Sequence, residues 1–203
     1  MSLIESCKNG NLERVKAALR TGADVNAMNE DGYTGLMLAI SFNHNPVVAF
    51  LLKTPNIDVN QKNGWGSFVL NDAAYNSNIE ALRLLLDFPG IDVNNVDNYG
   101  NSLVSGVCHK VDVLKLLLGH PGLTALTLNK KQKDGATPVM VAAKKNKLEQ
   151  LEILAADLRV DLETTDKEGR SLEERAPRYF AVLKLSKKII EALRSRLRTL
   201  RSV

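Results

Sequence analysis

The sequence predicts an all-α solenoid, in which helix-turn-helix units stack on one another and are joined by short β-hairpin loops. Three observations predict it. The triplet Asp-Val-Asn begins at Asp24, Asp58 and Asp92, a spacing of 34 residues, and degenerate forms of it end at Asn129 and Glu163. Six residues after the end of each triplet comes a glycine: Gly32, Gly66, Gly100, Gly135 and Gly169. Between these marks, a short run of small apolar residues is followed by a run rich in Leu and Val. A fixed period of this length marks an array, because one helix pair cannot bury its apolar face until neighbours stack on it.

Each element of the unit has a local cause. Two residues after the glycine stands Thr34, Ser102, Thr137 or Ser171, with Phe68 as the exception. A hydroxyl there is suited to cap a helix by accepting from a free backbone N–H. Pro138 fits a first helical position. The small residues of Leu-Ala-Ile, Asp-Ala-Ala and Val-Ala-Ala make the first helix. The second carries grouped apolar residues such as Val48, Leu51 and Leu52, or Leu82, Leu85 and Leu86. It ends in Thr-Pro-Asn-Ile, Phe-Pro-Gly-Ile or His-Pro-Gly-Leu, where proline stops the helix and the next residue tolerates a left-handed bend. The units are therefore a first helix pair over 1–28, repeats opening at Asn29, Asn63, Asp97 and Gln132, and a divergent unit from Asp166. The unit opening at Asp97 loses two residues after Cys108 and regains three over 124–128, so it is expected to be the least regular and locally the weakest. Residues 1–177 are expected to form one solenoid of about five repeats plus the divergent unit.

The stretch Gly-Ala-Thr-Pro-Val-Met-Val-Ala-Ala at 135–143, with the Asp-Val-Asn triplets and the leucine-rich second helices, resembles the ankyrin repeat, whose consensus runs Gly-x-Thr-Pro-Leu-His-x-Ala-Ala. The resemblance extends to about Pro177. Met37, Asn71, Ser105 and Met140 replace the consensus histidine, so the bonds that histidine makes in the family are absent. The resemblance implies a protein-interaction module that binds a partner protein or peptide across its hairpin tips and first helices. The partner-binding positions it assigns include Tyr33, Phe42, Trp65, Tyr75, Tyr99, Lys133, Ala136, Lys144 and Lys145. Five of the aromatic residues fall on this surface, and a cluster of exposed aromatic side chains marks an interface. Trp65 is the only tryptophan and stands between Gly64 and Gly66. The lysines suit an acidic segment of a partner. The resemblance further implies that Asn60 and Asn94, each eight residues after a leucine, are candidates for asparaginyl hydroxylation.

No nucleophile motif, phosphate loop or metal-ligand spacing occurs in the chain, so no catalytic residue, metal or cofactor is expected. The nearest candidate is Cys108 beside His109, but in the repeat register Cys108 falls with Cys7, Ile40, Ala74 and Ala143, which makes both cysteines core residues. The longest apolar run, over 47–52, is far too short for a membrane span. With two cysteines and no Asn-x-Ser/Thr sequence, the expected location is cytoplasmic or nuclear. The net charge of +4 is uneven: residues 178–203 hold eight Lys/Arg against one Asp/Glu. That segment lacks Gly and Pro and carries an apolar stripe, which predicts a basic helix covering the last repeat. Alternatives for it are self-association through a short coiled-coil seam, or an adaptor that binds an anionic membrane or nucleic acid. Nucleic acid is disfavoured, because few aromatics stand among the basic residues.

Overall fold

The computed structural model describes residues 2–145 and 147–175, together with Pro177 and Lys188. The basic helix expected over 178–203 otherwise lies outside the described residues. Contacts divide the chain into two units, Met1–Asn98 and Tyr99–Val203.

The first unit holds α1 (Leu3–Lys8), α2 (Leu12–Arg20), α3 (Gly35–Ser41), α4 (Asn45–Leu51), α5 (Val69–Tyr75) and α6 (Ile79–Leu86). Helices of six to nine residues are too short to persist alone in water, so their stability comes from packing. The first helices form one row, α1 on α3 and α3 on α5, and the second helices another, α2 on α4 and α4 on α6. Leu36, Met37, Ile40, Leu51, Phe68, Leu70, Leu82 and Leu85 are fully buried between the rows. Each large aliphatic or aromatic chain so buried contributes about 1.5–3 kcal/mol relative to exposure. Thr34 caps α3 by accepting from Met37 N–H at 3.2 Å, and Ser2 caps α1 by accepting from Glu5 N–H at 3.2 Å. Phe68 replaces the hydroxyl at the start of α5 and is buried instead.

The hairpins repeat one geometry. Asn63 N–H donates to the carbonyl of Ser67 at 2.8 Å, and Asn63 Oδ1 accepts from the N–H groups of Trp65 and Ser67 at 3.0 and 2.9 Å. Asn29 does the same for Asp31 and Tyr33. Gly32 has φ +79°, and a Cβ there would lie 2.7 Å from Gly64 N, so only glycine permits both the turn and the approach of the next hairpin. The approach is itself bonded, Gly64 N–H donating to Asp31 O at 3.2 Å.

The Asp-Val-Asn triplets prove to be a ladder. Asp24 and Asp58 each accept from the N–H two residues on, at 2.9 and 2.8 Å. Asn26 Nδ2 donates to Asn56 O at 2.7 Å and its Oδ1 accepts from Asp58 N–H at 2.8 Å; Asn60 makes the same pair to Gly90 O and Asp92 N–H, at 2.8 and 2.9 Å. Asn56 (φ +60°) and Gly90 (φ +83°) take the left-handed bend expected after the helix-stopping prolines.

The second unit holds α7 (Leu103–Val107), α8 (Val111–Gly119), α9 (Ala125–Leu128), α10 (Pro138–Lys144), α11 (Leu148–Ala156) and α12 (Leu172–Arg175). α10 packs on α7 and α12, and α8 packs on α11. The ladder continues, because Asn129 Nδ2 donates to Arg159 O at 2.7 Å and its Oδ1 accepts from Asp161 N–H at 2.6 Å. The deletion after Cys108 leaves α7 with five residues where α3, α5 and α10 have seven. The regained residues become α9, capped by Thr124 Oγ1 on Thr127 N–H at 3.3 Å and burying Leu128. Arg159 fastens this detour by donating to the carbonyls of Leu123 and Leu118 at 2.6 and 3.0 Å while paired with Asp157.

Two expectations are corrected. Thr137 makes no cap: its hydroxyl is buried without a partner among the described residues, and α10 starts on the preset φ of Pro138. Ala136 is buried and belongs to the core rather than to the surface.

Candidate interaction surface

In the first unit the tip of the 63–67 hairpin holds Trp65 outward. Asn63 Oδ1 holds the Trp65 N–H within the turn, and the indole at the tip is 68% exposed. Phe42, at the end of α3, is 51% exposed, and Tyr75, at the end of α5, is 45% exposed. Tyr33 is only half-buried, with its N–H held by Asn29. A groove of about 620 Å³ brings Tyr33 and Phe42 together with Ile4, Glu5, Lys8 and Met28. Lys8 Nζ lies 6.0 Å from the Phe42 ring centre, and His44 stacks beside that ring at 6.4 Å.

Sequence reasoning missed Asp72. It lies on α5 between the hairpin and Tyr75: Ser67 Oγ is 3.4 Å from its Oδ1, and Tyr75 follows one helical turn later. Its Oδ2 is buried with no hydrogen-bond partner among the described residues. Burial pushes the carboxyl up to about 7, and the Ser67 hydroxyl only partly opposes that. The register held the signal, because the equivalent residues are Leu38, Gly106 and Val141, apolar or absent side chains, and the first helix pair has the exposed Glu5 there.

In the second unit Tyr99 is 59% exposed, with Lys133 Nζ 5.0 Å from its ring centre. Lys144 and Lys145 are exposed and border a groove of about 470 Å³ over Gly106, Ala136 and Val141. The positive field there shows in His109, whose pKa is lowered first by burial and then by Lys145, Lys110 and Lys147.

Asn60 is committed at both ends of its amide to the ladder, and Asn94 N–H donates to Asp92 Oδ1 at 2.9 Å. Cys7 and Cys108 are buried free thiols. Burial pushes Cys7 up to about 12 and raises Cys108 as well, so neither is primed as a nucleophile. Among the described residues no group of three His, Cys, Asp or Glu is placed to hold a metal, and no helix is long and apolar enough to cross a membrane.

Within each unit, helix pairs stack as a repeat scaffold, and in the first unit the hairpins at 29–33 and 63–67 are closed by hydrogen bonds. Residues 3–97 carry ankyrin repeats: they match the family model for ankyrin repeats, in 3 copies. No curated protein matches the chain. Ankyrin repeats are generally protein-protein interaction modules and typically non-catalytic. The unit recurs past residue 97, in the phased glycines and in the Asn129 ladder.

Proposed function

We propose that this chain is a non-catalytic interaction module that binds a partner protein or peptide through its hairpin tips and first helices. The observation that carries this reading is the joint exposure of Phe42, Trp65 and Tyr75 on the hairpin face of the first unit. Large aromatic chains left in water lose the 150–250 Å² of burial that each can supply, and such side chains are enriched at the centres of interfaces. In the second unit Lys144 and Lys145, bordering a groove of mixed polar and apolar lining, suit an acidic stretch of a partner, with Lys133 and Tyr99 already paired as a cationic edge.

The test is selection of random displayed peptides on the full chain, followed by affinity measurement against Trp65→Ala and Tyr75→Ala. Selected peptides that lose affinity with these substitutions support the reading. Binders indifferent to both contradict it. Hydroxylation of Asn60 and Asn94 is a separate proposal that rests on the ankyrin repeats. Mass spectrometry of the cell-derived protein with both asparagines unmodified overturns it.

A further inference from the structure

Apolar surface and negative charge coincide in one groove of the first unit, the groove of about 620 Å³ lined by α1, the hairpin at 29–33 and α3. Half-buried Ile4, Tyr33 and Leu38 line it, and Met28 and Phe42 stand exposed beside them. Large apolar side chains left open together in this way mark a surface that another molecule covers. The volume is that of a cleft that takes a drug-sized ligand, or a short run of side chains. Around the apolar lining stand three acids, Glu5, Glu30 and Asp31, against one cation, Lys8. That cation is already drawn to the aromatic end of the groove, its Nζ 6.0 Å from the Phe42 ring centre. The acids are not neutralised. Glu5 Oε1 accepts from the uncharged amide of Asn9 at 2.9 Å, and among the described residues no hydrogen bond or ion pair engages the carboxylate of Glu30 or Asp31. The wider field has the same sign, because residues 1–98 carry 7 Lys/Arg against 11 Asp/Glu.

We propose that this groove takes a basic and apolar segment of a partner protein, whose apolar side chain packs against Met28 and Phe42 while flanking arginine or lysine residues meet Glu5, Glu30 and Asp31. This rests on the reading of hairpin tips and first helices as the partner surface, and adds the chemistry of the segment bound there. Burial of the apolar side chain supplies most of the affinity. The exposed carboxylates, bathed in water, contribute less to affinity and more to the choice of charge sign and to the rate of encounter. An acidic segment of the same shape meets the same lining but is repelled.

The experiment titrates the isotope-labelled full chain with the blocked peptides Arg-Leu-Phe-Leu-Arg, Glu-Leu-Phe-Leu-Glu and Arg-Ser-Ser-Ser-Arg, followed by backbone amide resonances. The first should shift the amides of residues 28–33 and of Phe42 at about millimolar concentration. The acidic peptide should bind at least about fivefold more weakly, and the serine peptide should leave these amides unmoved. Glu30→Gln combined with Asp31→Asn, shown to be folded by its melting curve, should weaken the first peptide about fivefold at low salt, a difference that closes in about 1 M salt. Phe42→Ala should weaken it about tenfold, and Met28→Ala repeats that test if Phe42→Ala melts early. No shift at these amides, equal binding of the acidic and basic peptides, or an affinity unchanged by the charge or the apolar substitutions overturns the proposal. The displayed-peptide selection reads the face separately, through Trp65 and Tyr75. Selected peptides that need those residues, on a chain whose groove ignores the basic pentapeptide, sink the groove and keep the face, whereas selected peptides indifferent to both sink the face itself.

Discussion

Asp72 and Asp166 show how the same carboxyl group is set in opposite directions by its neighbours. Asp72 is raised by burial with only a long bond from Ser67 against it. Burial would raise Asp166 too, but bonds from Arg175 and Arg170 outweigh it and hold that carboxyl well below the usual range. Their effects on stability have opposite signs. Asp166 stabilises the fold above the ordinary carboxylate range, and that contribution is lost on acidification below it. Asp72 holds a proton in the folded state between pH of about 4 and about 7, so its contribution to stability falls as pH rises through that window. Asp72→Asn should remove the fall and stabilise the protein at pH 8 by about 2 kcal/mol, less than the roughly 4 kcal/mol of the full shift because the side chain keeps some exposure. Urea unfolding of both proteins from pH 4 to 8 checks this. His109, lowered by burial and the nearby lysines, acts in the opposite sense near its own range, but it is common to both proteins and cancels in the difference. A variant curve parallel to the wild type contradicts the assignment.

At the scale of the element, the Asn ladder is the device that spaces one hairpin from the next. Asn60→Ala removes two bonds to the following repeat and should cost about 1–2 kcal/mol, while an alanine at the exposed Asn76 should cost less than about 0.5 kcal/mol. The unit that opens at Asp97 has a shortened first helix and a detour held by Arg159. Hydrogen exchange should therefore be faster over 105–130 than in α3 to α6; equal protection in both stretches would contradict this. The repeats were legible in the sequence because the triplet, the glycine and the helix-stopping proline recur at fixed spacing. Each of those residues answers a backbone demand. What was not legible was set by three-dimensional neighbours: Arg159 reaching the carbonyls of Leu118 and Leu123, the residues after Gly122 turning into a helix, and the unused hydroxyl of Thr137. The outward aromatics followed from the register; Asp72 stands out in the same register as an acid where Leu38 and Val141 stand, but its burial is set by the packing around α5.

At the scale of the molecule, the structure is two units, each of which uses its buried rows to free one face. The first unit carries exposed aromatic side chains on that face, and the second carries lysines. Trp65 belongs to the surface in this account, so Trp65→Ala should change folding stability by no more than about 1 kcal/mol, and should weaken a peptide selected on this face by about 2 kcal/mol, roughly thirtyfold. Because Trp65 is the only tryptophan, its fluorescence reports the central claim without any substitution. The free protein should emit at the red-shifted wavelength of an indole in water and be readily quenched by acrylamide. A saturating selected peptide should shift the emission to the blue and protect it from the quencher. An emission already blue and shielded in the free protein, or one that no selected peptide alters, would contradict the account.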